Sequence, residues 1–187
     1  FVWGSRGSGR SHLLHATCAE VNASGEAAAY IPLEQYAAFD PGVLDQMEQL
    51  PLVCLDNLDA IAGHPEWEES LFDFFNRWKE HNQGSLIVTA ATAPRKIGLC
   101  LPDLASRLDW GLSYQLHELD DEGKLGALQL RAELRGFKLP VDVGRFLLNR
   151  LSRDMRTLLT TLNELDHASL DAKRKLTIPF VKEALHL

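Results

Sequence analysis

The chain has 187 residues, 45% of them hydrophobic and 24% charged, with a formal net charge of −7. That length lets a chain bury roughly 70% of its unfolded surface, so a core can form without disulfides or structural metals. The acidic balance, with Lys and Arg scattered rather than gathered in a block, argues against strong direct DNA binding. No apolar run approaches the roughly 18 residues that span a bilayer, and no signal peptide is visible, so a membrane partner is not expected. Cys18, Cys54 and Cys100 are an odd, widely spaced set without metal-ligand spacing, read as reduced, mostly buried thiols of a cytoplasmic protein.

Phe1-Val2-Trp3 reads as the end of a strand, and because the chain opens inside it, the natural N-terminus is expected upstream. Next comes Gly4-Ser5-Arg6-Gly7-Ser8-Gly9-Arg10-Ser11, a phosphate-loop pattern in which Arg10 replaces the usual Lys. Glycines there permit positive φ, so successive N–H groups can turn toward phosphate oxygens at the positive end of the following helix. That helix, residues 11–23, spaces Leu13, Leu14, Cys18 and Val21 helically and stops at Asn22-Ala23-Ser24-Gly25. Residues 27–32 read as a strand and residues 41–50 as a helix with Val43, Leu44, Met47 and Leu50 on one face. Leu52-Val53-Cys54-Leu55 is continuous and apolar, as a central parallel strand covered on both faces should be, and ends in Asp56-Asn57.

Residues 65–81 predict a helix whose Trp67, Leu71, Phe75 and Trp78, with Phe72 beside them, form an aromatic stripe suited to core packing rather than to stacking bases. Ser85-Leu86-Ile87-Val88-Thr89 is another buried strand, and Leu112-Ser113-Tyr114-Gln115-Leu116 is the last. Strand and helix in alternation imply a parallel sheet with helices on both faces. From Asp120 every segment is helical, over residues 120–135, 141–151, 154–172 and 179–187. The expected domains are therefore an α/β nucleotide-binding unit, residues 1–118, and a small helical lid, residues 119–187.

A phosphate loop gains specificity from an acidic residue at the end of a neighbouring buried strand, where ligands of open parallel sheets bind. Asp56 occupies that place, and with Ser11 it makes the expected magnesium site. His12 and His15, three residues apart without a third ligand nearby, suit packing and helix surface better than zinc.

Taken together, the loop, the strand ending in Asp56, Leu86-Ile87-Val88-Thr89, the segment Leu101-Pro102-Asp103-Leu104-Ala105-Ser106-Arg107-Leu108-Asp109-Trp110-Gly111 and a lid with Arg156 resemble the AAA+ ATPase module. Within it they resemble the family of the bacterial initiator DnaA and its small relative Hda, over nearly the whole chain. Arg10 and the lack of a basic helix-turn-helix domain after the lid are Hda-like features. The resemblance implies ADP or ATP with Mg2+ as ligands. It places Gly4, Ser5, Arg6, Gly7, Ser8, Gly9, Arg10, Ser11, His12, Asp56 and Arg156 around the nucleotide, and makes Arg107 an arginine finger acting in a neighbouring subunit. Its implied partners are DnaA and the DNA-loaded sliding clamp, and its implied role is to promote hydrolysis of DnaA-bound ATP and so prevent re-initiation.

Each assignment has a plainer counterpart. Arg107 could be a surface arginine paired with Asp103 or Asp109, and Arg156 a helix-surface residue paired with Asp154, with Arg153 able to exchange roles with it. Three departures from the AAA+ pattern bear on chemistry: Asn57 stands where many members place a water-activating Glu, Ala91 where an acidic first-sensor residue is common, and Arg10 where Lys is usual. All three predict good nucleotide binding and weak or no intrinsic hydrolysis. The alternative is an ATPase working as a homo-oligomer, with Arg107 acting between identical subunits.

Overall fold

Five short strands, β1 (Val2–Gly4), β2 (Ala28–Pro32), β3 (Leu52–Asp56), β4 (Ser85–Ala90) and β5 (Tyr114–Leu116), pair in parallel in the order β2-β3-β4-β1-β5. This is a computed structural model, and it describes residues 1–81 and 83–187. The helices α1 (Arg10–Ala23), α2 (Pro65–His81) and α3 (Pro102–Leu108) join strands that must run parallel, as crossover connections require.

The period of two along each strand sorts the side chains between two layers. Ile31, Val53, Leu55, Leu86, Val88 and Ala90 face one way, into the larger core with Phe74 and Leu71 of α2 and Leu104 and Leu108 of α3. Tyr30, Leu52, Cys54 and Ile87 face the other way, against Leu14 and Cys18 of α1. The strand pairs Tyr30 with Cys54 and Leu55 with Val88. Asp56 and Thr89, one step on, therefore fall on the α1 side at the carboxyl edge of the sheet.

Several expectations are corrected. Residues 41–50 do not form one helix but two short 3-10 turns, Pro41–Leu44 and Met47–Gln49. Asp45 between them is extended and Gln46 has φ 65°, while the Asp40 side chain accepts the Gly42 N–H and Arg77 donates to the Leu44 carbonyl and the Asp45 carboxylate. The backbone groups at the break are thus met by a neighbouring helix, and Leu44 is still fully buried. The aromatic face of α2 also includes Phe74, completely buried and absent from the predicted stripe. The last strand starts at Tyr114, leaving Leu112 exposed, and Cys100 is exposed whereas Cys18 and Cys54 are buried.

By contact pattern the chain divides into two units, Phe1–Glu118 and Leu119–Leu187. The second contains α4 (Asp121–Leu134), α5 (Val141–Arg150), α6 (Met155–Ala172) and α7 (Ile178–Ala184) around Leu128, Leu147, Leu158, Leu162 and Val181. Side-chain caps set three of its helix starts: Asp120 accepts from the Gly123 N–H, Asp154 from that of Thr157 and Thr177 from that of Phe180. Arg135 bridges Asp166 at 2.8 Å, joining the end of α4 to α6.

Candidate functional site

The turn between β1 and α1 is built from backbone freedom that only glycine supplies. Gly7 and Gly9 have φ of 92° and 97°, and Gly9 caps α1 with no side-chain hydrogen bond of its own. Gly4 lies so close to β5 that a Cβ there would sit 2.4 Å from the Leu116 carbonyl oxygen and 2.7 Å from Ser8 Oγ. The first N–H groups of α1 have no partner within the helix and carry its positive dipole end, which is the usual arrangement for an anion. Ser5, Arg6, Gly7 and Gly9 are exposed, and Ser5 Oγ donates to Glu118 at 2.8 Å.

Two buried atoms in this loop lack a hydrogen-bond partner: Ser8 Oγ and Arg10 Nη1. Arg10 Nη1 lies 3.8 Å from Asp59 Oδ1, where charges attract without a hydrogen bond, and the Arg10 side chain is only 10% exposed. The same Asp59 oxygen accepts the Ala91 N–H at 2.8 Å, so a carboxylate from the turn after β3 reaches the end of β4. The position lacking an acid in sequence thus has one beside it in space.

Asp56 is 1% exposed, and both of its oxygens are engaged. Tyr30 donates its hydroxyl to Oδ2 at 2.7 Å, and Thr89 donates to Oδ1. Thr89 in turn accepts the Asn57 N–H at 3.0 Å, and Asn57, with φ 58°, donates from Nδ2 to Glu34 at 3.4 Å. Burial raises the Tyr30 phenol pKa well above its ordinary value, the Asp56 carboxylate and then Glu34 add to the rise, and Ser11 works against it through a hydrogen bond. The Tyr30 hydroxyl therefore lies against Asp56, one of the two expected magnesium ligands. Ser11 and Asp56 offer hard oxygens, and magnesium takes most of its remaining ligands from phosphate and water, so the donor set fits that ion.

His12 is exposed, and the His15 ring stacks on Tyr30 with centroids 4.0 Å apart. Tyr30, Thr89 and Asp59 were not predicted as site residues. Asp59 alone had a local signal, as a second acid three residues after Asp56.

Arg107 belongs to the other edge of the sheet. It lines a cavity of about 330 Å³ with Phe1, Trp78, Leu86 and Trp110. Phe1 precedes β1 and Leu86 lies near the start of β4, so these are the amino ends of parallel strands whose carboxyl ends meet the phosphate loop. The cavity reaches along β4 as far as Val88, next to Thr89, whose side chain faces the opposite layer and binds Asp56. The guanidinium stacks on Phe72 at 4.4 Å and lies 5.7 Å from the Trp110 ring. No carboxylate pairs with it among the described residues, and Asp109, a candidate partner, is bridged by Arg95 at 2.7 Å.

In the second unit Arg153 precedes α6 and pairs with Asp121 at 3.3 Å, whereas Arg156 is exposed in the first turn of α6. A cation there opposes the helix dipole.

The sequence model of the bacterial DnaA ATPase domain matches residues 1–115, and that of the Hda lid domain matches residues 121–185. Among solved structures, domain III of the replication initiation protein DnaA from Thermotoga maritima is similar at 19% identity and TM-score 0.79, over 100% of this chain and 82% of that one. AMPPCP-bound DnaA from Aquifex aeolicus is 22% identical with TM-score 0.70, over 87% of this chain and 54% of that one, so this chain matches about half of its length. The RuvB Holliday junction branch migration motor of Thermotoga maritima is 15% identical with TM-score 0.71, over 99% and 60%. At these identities the structural likenesses speak for the fold alone.

Proposed function

The chain belongs to the bacterial DnaA ATPase-domain family, and from that premise we propose that it is a nucleotide-holding regulator which presents Arg107 to the ATP site of a separate DnaA molecule. The observation that carries this reading is the position of Arg107: it lines a cavity at the amino edge of the sheet, free of carboxylate partners among the described residues, while its own phosphate loop lies at the carboxyl edge. A guanidinium there acts on a nucleotide held by another chain.

In this reading ADP is the resident ligand. The N–H groups of residues 7–11 bind its phosphates, and the Ser8 hydroxyl and Arg10 Nη1, without hydrogen-bond partners among the described residues, complete the cradle. Bound magnesium would supply neutralising charge to the phosphates, held by Ser11 and Asp56. Asn57 cannot take a proton from an attacking water, so the chain's own site holds nucleotide and turns it over slowly or not at all. Arg156 of the lid reads the nucleotide state. The partners are DnaA and the DNA-loaded sliding clamp, which brings the two together; the clamp rests on family resemblance, not on a residue of this chain. The outcome is conversion of DnaA-ATP to DnaA-ADP and restraint of re-initiation in the cytoplasm.

Arginine fingers contribute about 10³ to 10⁵ in rate in GTPases. The test is DnaA-ATP turnover with loaded clamp and either this protein or Arg107→Ala: stimulation should fall to background in the variant, and equal stimulation by both overturns the assignment. A second reading, a self-associating ATPase, is favoured by the presence of Ser11 and Asp56 together with an Arg107 that has no carboxylate partner among the described residues. It predicts ATP turnover by the purified chain alone, abolished by Asp56→Ala.

A further inference from the structure

Asp56 is an acid nine-tenths and more removed from water, and a carboxylate so placed needs either a cation or hydrogen-bond donors. Here donors come from both flanking strands: Tyr30 of β2 on Oδ2 and Thr89 of β4 on Oδ1. The pairing of Tyr30 with Cys54 sets the phenol one pleat behind Asp56 on the same face, so its ring length brings the hydroxyl to the carboxylate. The His15 ring, one turn beyond the loop on α1, stacks on Tyr30 and fixes its direction. The phenol thus fills a lone pair of Asp56 that a metal or a metal-bound water would otherwise use.

We propose that Tyr30 sets the magnesium dependence of nucleotide binding: its hydroxyl completes Asp56 without a cation, so that the loop, and not the metal, supplies most of the grip on a nucleoside diphosphate. This rests on the reading of the loop as a nucleotide site. Tyr30 is a positioning residue acting through Asp56. Its loss leaves a buried carboxylate oxygen short of a donor, a deficit that magnesium relieves and the apo site does not.

The test is calorimetric titration of ADP in excess magnesium and in EDTA, with the wild-type chain, Tyr30→Phe and Thr89→Val. Tyr30→Phe keeps the ring and its stacking on His15. The wild type should bind ADP with nearly the same dissociation constant in both buffers. A hydrogen bond to a charged group is a factor of about ten or more, so Tyr30→Phe should weaken binding in EDTA by that factor relative to binding in magnesium. Thr89→Val removes the other donor and should move the ratio the same way, which keeps the test open if Tyr30→Phe folds poorly. A ratio unchanged in both variants overturns the inference while leaving the nucleotide site standing. A wild-type chain that needs magnesium as strongly as the variants do also overturns it. A wild-type chain that binds no ADP in either buffer overturns the nucleotide reading itself.

Discussion

Glu68 offers the sharpest test of how the sheet domain holds α3, and with it Arg107. Its side chain is buried at the start of α2, and each carboxylate oxygen accepts one backbone N–H, from Gly63 and from Leu101, both at 2.8 Å. Leu101 is the residue that caps α3, and it brings no side-chain cap of its own. Glu68→Ala removes both bonds at once. Hydrogen bonds to a charged acceptor contribute about 1.5–3 kcal/mol each, but the exposed Gly63 can rehydrate its N–H while Leu101 is half-buried. We therefore expect a loss of about 2–4 kcal/mol. For a unit of this size about 4 °C accompanies each kcal/mol, so its melting transition should fall by about 8–16 °C. Glu68→Gln keeps one acceptor and sets an NH2 group against the other N–H, and should fall between the two. Scanning calorimetry and urea titration measure the stability. The same variants should stimulate DnaA-ATP turnover less than wild type under conditions where they remain folded, because the start of α3 is no longer tied to α2. A Glu68→Ala transition within about 2 °C of wild type would refute the reasoning, since it would mean that both N–H groups find water at no cost.

Gly9→Ala forces a non-glycine residue to φ 97° with open space around the new Cβ. The cost is conformational, about 1–2 kcal/mol, and should appear as a lower melting point with weaker ADP binding. Gly4→Ala should lose more, because its Cβ meets the Leu116 carbonyl at 2.4 Å. Thiol titration of the native protein should find one fast-reacting cysteine, Cys100, while Cys18 and Cys54 react only on unfolding; burial, then Cys18 and Asp56, push the Cys54 thiol pKa up and deplete its thiolate. Asp154 caps α6, and the Thr157 N–H and hydroxyl, then Arg156, lower its carboxyl pKa. A lowered folded-state value gives a contribution complete above the unfolded value, near pH 4, and lost as pH falls through the lower folded one. Carboxyl resonances followed by NMR should show Asp154 titrating below ordinary aspartates.

What was legible in the sequence follows the range of the interactions. Leu52 to Leu55 announced a central strand because a strand covered on both faces has no polar side to hide, and two helices of the second unit were readable from residues 120 and 154, where Asp120 and Asp154 cap N–H groups three positions away, whereas the Thr177 cap was not read. Residues 41–50 misled because an apolar spacing satisfied by two turns around Gln46 looks the same as one helix; the deciding partner, Arg77, lies on α2, more than thirty residues further along. The same holds at the site. Gly4, Gly9, Ser11 and Asp56 form short local patterns, whereas Tyr30 and Thr89 become neighbours of Asp56 only through strand register, and Asp59 reaches Arg10 and Ala91 only through the turn after β3.

Register also bears on how the proposed nucleotide holder and the proposed finger would share so small a sheet. β1 is three residues long, with Gly4 at its carboxyl end closing the phosphate loop and Phe1 before its amino end in the cavity that Arg107 lines. Val53 and Leu55 are fully buried in the packed layer beside it, and Val88 forms part of the cavity wall. Such an interior is close-packed and barely compressible, so it passes strain on rather than absorbing it. Occupancy of the loop by a diphosphate would in any case stabilise the folded unit: ligand at a hundred times its dissociation constant adds about 2.7 kcal/mol to the folded state. On this argument ADP should raise the melting temperature of the wild type and of Arg107→Ala equally, while only the wild type stimulates DnaA; a variant whose ADP-induced shift is smaller would show that the finger also touches its own nucleotide, contrary to the geometry of the sheet.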